Sequence, residues 1–164
     1  MPLFGASKSR PTYRLQVLTL DYLIDGTADL SGQNMIRLFT LHDVSMRAAR
    51  GATPPEPLAT RWAIGEDYGG LIAVAPVDAE GHEALVEFAD TGRHELRADV
   101  FTGPYRVRGT LLAPDDDPTV IANLGRLMVR DPEIDCLAPG ATLGTWRPPS
   151  ALLFMSQLQG IVVN

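Results

Sequence analysis

Few side chains in this sequence combine the residue types and spacing that catalysis requires. His42 and Asp43 are adjacent and could act as a base with an orienting carboxylate. On a strand, however, neighbouring side chains point to opposite faces, so we interpret the pair as surface residues. The chain contains no nucleophile-elbow, phosphate-binding or dinucleotide-binding glycine motif. The sequence therefore predicts a protein that is not an enzyme.

Candidate metal ligands are equally sparse. His82 and His94 flank an acidic segment, but no third ligand has the spacing of a metal site. Three aspartates at 115–117 could hold a hard cation, yet they lack the glycine and terminal glutamate of a calcium loop, which favours a solvated turn. The single cysteine, Cys136, follows Asp135, whose charge disfavours a thiolate. We expect neither a metal nor any other cofactor.

Arginines are the residues whose placement suggests a binding function. Arg106 and Arg108 alternate with apolar residues on an expected strand, so both should face solvent. Arg37 and Arg126 are basic residues that occupy matching positions in two similar halves of the chain. Such arginines could anchor a carboxylate or phosphate of a partner. Alternatively, they only keep the surface soluble and pair with nearby acids.

The segments that carry these residues occur twice. Three pairs of segments match in order, at offsets of 83, 89 and 90: YLIDGT (22–27) with YRVRGT (105–110), NMIRLF (34–39) with NLGRLM (123–128), and GLIAV (70–74) with GIVVN (160–164). Because order, spacing and loop composition agree, the pattern indicates a duplicated unit of about 65 residues.

Alternation of apolar and polar residues predicts four or five short strands in each unit. Gly26 and Gly109 occupy matching strand positions, where glycine permits a bulge, a tight bend or a close backbone approach. Two segments, 36–44 and 123–134, are ambiguous between a helical turn and a strand. Hairpins are predicted at the end of each unit: 62–66 with 71–75, and 152–155 with 161–163.

Apolar residues at matching strand positions are predicted to fill one interior in each unit. The first interior is assigned to Val17, Ile24, Leu38 and Ile72, and the second to Val100, Val107, Leu127 and Val162. Two small units of this kind would each bury a core of their own.

Charge divides the chain at the same places as the repeat. The formal net charge is −6, and residues 77–95 hold six acids against one arginine while both flanks are nearly neutral. Apolar residues within 79–89 recur at helical spacing, which predicts a short amphipathic helix or an acidic linker. The predicted organisation is an N-terminal tail (1–12), a first unit (13–76), a linker (77–95) and a second unit (96–164).

The repeated pattern resembles that of small bacterial Sm-like domains of unknown function. It consists of Val-x-Thr-x-x-Tyr-x-Ile-x-Gly-Thr at 17–27, Arg-Leu at 37–38 and Gly-Leu-Ile-Ala-Val at 70–74. The resemblance covers both units and implies a mainly β fold of two tandem SH3-like or Sm-like barrels. Better-known Sm proteins form rings that bind single-stranded RNA, but their Asp-x-x-x-Asn and Arg-Gly motifs are not evident here. No RNA-contacting residue is therefore carried over.

Two function classes follow from these observations. The first is a non-enzymatic structural or interaction module that joins strand edges into a homo-oligomer, with a trimer ahead of a dimer because three chains supply six barrels. The alternative is a nucleic-acid or small-ligand binder that uses the arginine-bearing face, although the chain lacks a basic footprint. With neither a signal-peptide pattern nor an apolar run of about 20 residues, we expect a cytoplasmic protein without a membrane partner.

Overall fold

The computed structural model describes residues 12–29, 38–51, 61–65, 70–89 and 91–164. These residues contain ten β-strands and two α-helices. The first half contains β1 (Thr12–Thr19), β2 (Tyr22–Asp29), β3 (Leu38–Ala48), β4 (Arg61–Gly65) and β5 (Leu71–Pro76). Helix α1 (Ala79–Ala89) follows, as predicted. The second half contains β6 (His94–Thr102), β7 (Tyr105–Ala113), α2 (Pro118–Ala122), β8 (Arg126–Cys136), β9 (Ser150–Phe154), a 3₁₀ turn (Met155–Gln157) and β10 (Leu158–Val163). The expectation of a mainly β protein is confirmed, and the two ambiguous segments contribute to strands β3 and β8.

The strands form one open antiparallel sheet in the order β10-β6-β7-β8-β9-β5-β1-β2-β3-β4. Each half therefore contributes the same order, in which its fifth strand is followed by its first, second, third and fourth strands. The halves meet where β5 pairs with β9. This arrangement leaves β10 and β4 at the two edges of the sheet.

Both predicted hairpins are wrong. Strand β4 pairs with β3, whereas β5 pairs with β1 and β9. In the second half, β9 pairs with β8 and β5, and β10 pairs with β6. The fifth strand of each half returns to the first strand and satisfies its backbone groups there. A short turn between two apolar runs is a local signal, and it cannot reveal that the partner strand lies elsewhere in the chain.

The register shifts of the sheet, like its strand order, occur at equivalent positions in the two halves. The register of β2 against β3 shifts between residues 25 and 27, and that of β7 against β8 shifts between residues 108 and 110. The extra residue of each bulge lies in β3 or β8, and Gly26 and Gly109 lie at equivalent positions opposite it, where the neighbouring backbone approaches closely. Within these bulges, Asp43 of β3 and Asp131 of β8 both have positive φ angles, of 51° and 48°. Shared bulges and shared backbone strain point to one strand plan used twice.

The register corrects the offset that the sequence suggested for the fifth strands. Ala73 of β5 is opposite Leu18 of β1, and Gly160 of β10 is opposite Phe101 of β6. Leu18 and Phe101 are equivalent, because they stand at the offset that relates β1 to β6 throughout. The fifth strands are therefore equivalent at an offset of 87 (160 minus 73) rather than 90.

Two hydrophobic clusters replace the predicted pair of separate interiors, and each mixes residues of both halves. One cluster includes Val17, Ile24, Leu112, Met128 and Leu152. The other includes Leu18, Ile72, Val100, Val107 and Leu127. Sequence neighbours such as Val17 and Leu18 fall into different clusters, because alternate side chains of a strand point to opposite faces. Ile72 therefore lies in the cluster of Leu18 and Val100 and not in the cluster of Val17 and Ile24.

Val162 is the second correction to the predicted core, because its side chain is 53% exposed. The corrected offset of the fifth strands makes Ala75, not Ile72, the residue equivalent to Val162. Ala75 is buried in β5, which has paired strands on both sides, whereas β10 has a paired strand on one side only within the described residues. The side chain of Leu38 lies outside the described residues, and the other predicted core residues are buried.

Helix α1 packs against the sheet instead of only connecting the halves. Its buried residues Leu85 and Ala89 belong to the cluster that contains Leu112. At its beginning, the backbone N–H of Gly81 donates to Oδ1 of Asp78 over 2.7 Å, which satisfies one of the unpaired amides of the first turn. The helix therefore covers one face of the sheet close to where the halves join.

Candidate assembly interface

The junction between the halves is a strand pair. Ala73 and Val74 of β5 lie opposite Leu153 and Leu152 of β9 in an antiparallel register. Every residue of both strands is buried. The junction therefore continues the sheet from one half into the other and removes an edge from each half.

A buried tyrosine also joins the two halves by hydrogen bonds outside the strand pair. The hydroxyl of Tyr105, at the beginning of β7, donates to the carbonyl oxygens of Thr19 over 2.9 Å and Leu20 over 3.0 Å. These two residues form part of the turn between β1 and β2. Burial raises the pKa of the Tyr105 hydroxyl far above its usual value, because the phenolate would lose its hydration. The neutral hydroxyl thus acts as a permanent donor from the second half to the first.

Backbone contacts supply a third part of the junction. The N–H groups of Thr142 and Leu143 both donate to the carbonyl oxygen of Ala49, each over 3.0 Å. Nearby, the N–H of Gly51 donates to the carbonyl oxygen of Gly140 over 3.0 Å. The chain that follows β3 is thereby held against the loop that follows β8.

Gln16 provides a side-chain link at the same junction. Its Oε1 accepts a hydrogen bond from Nε1 of Trp146 over 3.0 Å, and its Nε2 donates to Asp25 over 3.0 Å. The equivalent positions in the second half hold Asp99 and Arg108, whose side chains form an ion pair at 3.2 Å. Arg108 of the predicted binding face therefore already forms an ion pair with Asp99 on the neighbouring strand. This hydrogen-bonded pair also raises the pKa of Arg108.

Arg106 is engaged in a similar way. Its Nη2 lies 2.8 Å from Oδ2 of Asp135, and the same carboxylate accepts the hydroxyl of Thr145 over 2.7 Å. The hydrogen bond from Arg106, followed by that from Thr145, lowers the pKa of Asp135. A partner carboxylate or phosphate would compete with Asp135 for this guanidinium.

The register separates the two arginines that the sequence had matched. His42 of β3 is opposite Thr27, and Arg130 of β8 is opposite Thr110, the residue equivalent to Thr27, so the third strands are equivalent at an offset of 88 (130 minus 42). Leu38 is therefore the residue equivalent to Arg126, at an offset of 88 (126 minus 38) rather than 89. Arg37 itself lies outside the described residues.

The aspartates at 115–117 form a turn and a helix cap. Asp117 accepts the N–H and the hydroxyl of Thr119 over 2.8 and 2.7 Å at the beginning of α2. These hydrogen bonds lower the pKa of Asp117. Asp115 in turn accepts the N–H of Asp117 over 3.0 Å. Within the part of the chain that the structure describes, no three His, Cys, Asp or Glu side chains could hold a metal ion.

A cavity of about 460 Å³ opens between α1 and strands β6, β7 and β8. Leu112 and Met128 give it an apolar wall, and Arg93, Glu95 and Arg130 supply charge. Arg130 pairs with Glu95 over 2.8 Å. The sequence reasoning missed this cavity, because its lining comes from four separate elements that no linear motif connects.

The edges of the sheet differ from the junction in how well they are covered. Val162 and Val163 of β10 are 53% and 39% exposed, whereas Ala75 and Pro76 at the equivalent positions of β5 are buried. The two fifth strands share one register and differ in whether a fourth strand lies beside them. Among the described residues, β10 therefore presents apolar side chains and a backbone edge without a paired strand, and β4 forms the opposite edge.

Comparison with family models, curated proteins and solved structures found no match to this chain. The assignment of a function thus rests on the geometry above. Among the described residues, neither helix is long and apolar enough to cross a membrane.

Replacing Tyr105 by phenylalanine should lower the free energy of unfolding by about 1–3 kcal/mol, because two carbonyl groups lose a buried donor. Urea denaturation measures this loss, and Tyr13→Phe on the half-exposed end of β1 is the matched control. The raised pKa adds a second test. Above about pH 10 the unfolded phenol ionises while the folded one stays neutral, so the wild type loses stability as the pH rises. The Tyr105→Phe variant should lose less over that range, and identical pH profiles would contradict the assignment.

Proposed function

We propose that this protein is a non-enzymatic structural module, built from two tandem Sm-like repeats, that assembles into a homo-oligomer through its sheet edges. The observation that carries the proposal is the repeated strand plan. Both halves share strand order, register and bulges, and they are joined through the fifth strand of one and the fourth strand of the other. In the part of the chain that the structure describes, the free edges are again a fourth strand, β4, and a fifth strand, β10.

This pairing of unlike edges favours head-to-tail assembly. When a contact joins two different surfaces, each added copy leaves the same two surfaces free at the ends of the assembly. Such a series closes into a ring when the rotation per copy divides a full turn. Three chains would supply six repeats, which supports a trimer ahead of a dimer.

The surfaces that would serve the alternative functions are largely occupied. Arg106 and Arg108 are paired with acids of neighbouring strands, which weakens the case for a nucleic-acid or phosphate partner on this face. Small-ligand binding finds its best support in the cavity beside α1, where Arg93 and Arg130 border an apolar wall. That cavity carries the second candidate function, and an interaction with another protein would use the same free edges as self-assembly.

Light scattering coupled to size-exclusion chromatography tests the proposed assembly. The chain mass is 17.8 kDa, so a trimer is expected at about 53 kDa and a dimer at about 36 kDa. A variant with a charge on the free edge, Val162→Lys, should dissociate, because a lysine on an edge strand opposes pairing. Leu137→Lys replaces an equally exposed apolar residue away from both edges and should leave the mass unchanged. A wild-type species with the mass of a single chain at high concentration would refute the proposal.

A further inference from the structure

The internal junction predicts the contact between copies in detail, an inference that rests on the proposed assembly. On the fifth-strand side, Ala73 and Val74 make the pairs of the junction. The equivalence of the fifth strands assigns their roles to Gly160 and Ile161 of β10. Both residues lie on the free edge of the sheet.

On the fourth-strand side, Leu152 and Leu153 of β9 make the same pairs. Met128 is opposite Leu152 in the second half, and Thr40 is opposite Ala63 in the first. Because Thr40 and Met128 are equivalent residues of the third strands, Ala63 is the counterpart of Leu152, and the next residue, Ile64, is the counterpart of Leu153.

The tyrosine of the junction also has a counterpart. Tyr22 begins β2 as Tyr105 begins β7, and the two residues are equivalent in the repeat. The turn that Tyr105 contacts corresponds in the second half to Thr102 and Gly103, between β6 and β7. The backbone of Gly103 is held as that of Leu20 is, because each N–H donates over 2.9 Å to the carbonyl oxygen of the residue that precedes the fifth strand. The backbone of the two turns is therefore held in the same way.

Thr102 differs from its counterpart in the hydrogen bonds of its side chain. In the first half, Oγ1 of Thr19 accepts the N–H of Tyr22 over 3.1 Å and donates to its carbonyl oxygen over 3.2 Å. Oγ1 of Thr102 is buried and has no hydrogen-bond partner among the described residues.

We infer that β10 of one copy pairs with β4 of the next, with Gly160 opposite Ile64 and Ile161 opposite Ala63. In this contact the hydroxyl of Tyr22 from the next copy donates to the turn at Thr102, as Tyr105 does within the chain. The partner of the free edge is thus a second copy of this chain, bound in one defined register.

Disulfide cross-linking tests the register. In a Cys136→Ser background, which removes the single native cysteine, the double variant Ala63→Cys/Ile161→Cys places one cysteine on each edge. Residues directly opposite in an antiparallel pair have Cα atoms about 4.5–5.5 Å apart, which a disulfide spans. We expect cross-linking between chains, ending in a covalent closed species on non-reducing gels. The control Ala63→Cys/Val162→Cys should cross-link at least ten-fold more slowly, because residue 162 points to the other face.

Two outcomes separate this inference from the proposed function. Equal or absent cross-linking in both variants, with the oligomer intact by light scattering, would overturn the register and leave the assembly standing. A monomer at every concentration would refute the assembly itself.

The variant Tyr22→Phe tests the hydroxyl contact. It should raise the concentration at which the oligomer dissociates by about ten-fold to a hundred-fold, as expected for the loss of a buried donor to a carbonyl group. Tyr13→Phe is the control and should leave this concentration unchanged. Urea denaturation of the dissociated chain separates a loss of assembly from a loss of folding. An unchanged dissociation concentration for Tyr22→Phe would overturn the proposed tyrosine contact.

Discussion

Replacing Leu127 by alanine is expected to lower the free energy of unfolding by about 2–5 kcal/mol. The Leu127 side chain is fully buried in the cluster that also holds Ile72 and Val100, so its removal leaves a cavity shared by both halves. Urea denaturation at a fixed protein concentration measures the loss. Holding the concentration fixed matters because assembly would itself contribute to the measured stability.

Leu137→Ala is the matched control for this experiment. The same side chain is truncated, but Leu137 is 55% exposed, so the change should stay within about 0.5 kcal/mol. Similar losses for both variants would contradict the assignment of Leu127 to the core.

Replacing Gly92 by alanine should destabilise the fold by roughly 3–5 kcal/mol, through backbone strain and overpacking together. Gly92 has a φ angle of +132°, a conformation that residues with a side chain rarely adopt. A Cβ atom there would overlap the carbonyl carbon of Ala113, and this backbone atom belongs to the end of β7. Neither side can move without disturbing the segment that leads from α1 into β6.

Gly144→Ala is the control for Gly92, because Gly144 has space for a Cβ atom and no positive φ angle. Thermal unfolding followed by circular dichroism should show a large drop in Tm for Gly92→Ala alone. A Tm equal to that of the wild type would contradict the backbone conformation of this segment.

The sequence predicted features that depend on neighbouring residues. Alternation identified most of the strands, the helical spacing located α1, and the glycines at 26 and 109 marked the two bulges. These signals are local, because side-chain periodicity and backbone freedom are set by a few residues at a time. The duplication proposal draws on the same short patterns.

The partners of the strands could not be predicted in this way. The similar sequences of 70–74 and 160–164 suggested an offset of 90, whereas the register gives 87. Because of this three-residue error, exposed Val162 was assigned to the core as the equivalent of buried Ile72. An error of one residue in the offset of the third strands, 89 instead of 88, likewise matched Arg37 with Arg126. Register is fixed by pairing across the sheet and by bulges, which a linear comparison does not contain.

At the arginines and at the junction, too, the sequence predicted local features but not the contacts that depend on strand pairing. Exposure of Arg108 followed from alternation, but its pairing with Asp99 depends on the register of β6 against β7. The hydrogen bond of the Tyr105 hydroxyl depends on a turn that lies in the other half of the chain. The pattern Tyr22/Tyr105 was visible in the sequence, and only the fold revealed what the hydroxyl contacts.

The pairing of β5 with β9 also has a consequence during synthesis on the ribosome. Strand β5 ends at Pro76 and its partner begins at Ser150, so β5 is made well before β9 can cover it. At about 5–20 residues per second, the intervening chain takes roughly 4–15 s to appear. Throughout that interval a nascent chain exposes an apolar strand edge, which is a site for aggregation or for chaperone binding. Slower translation of the second half should therefore lower the yield of soluble protein.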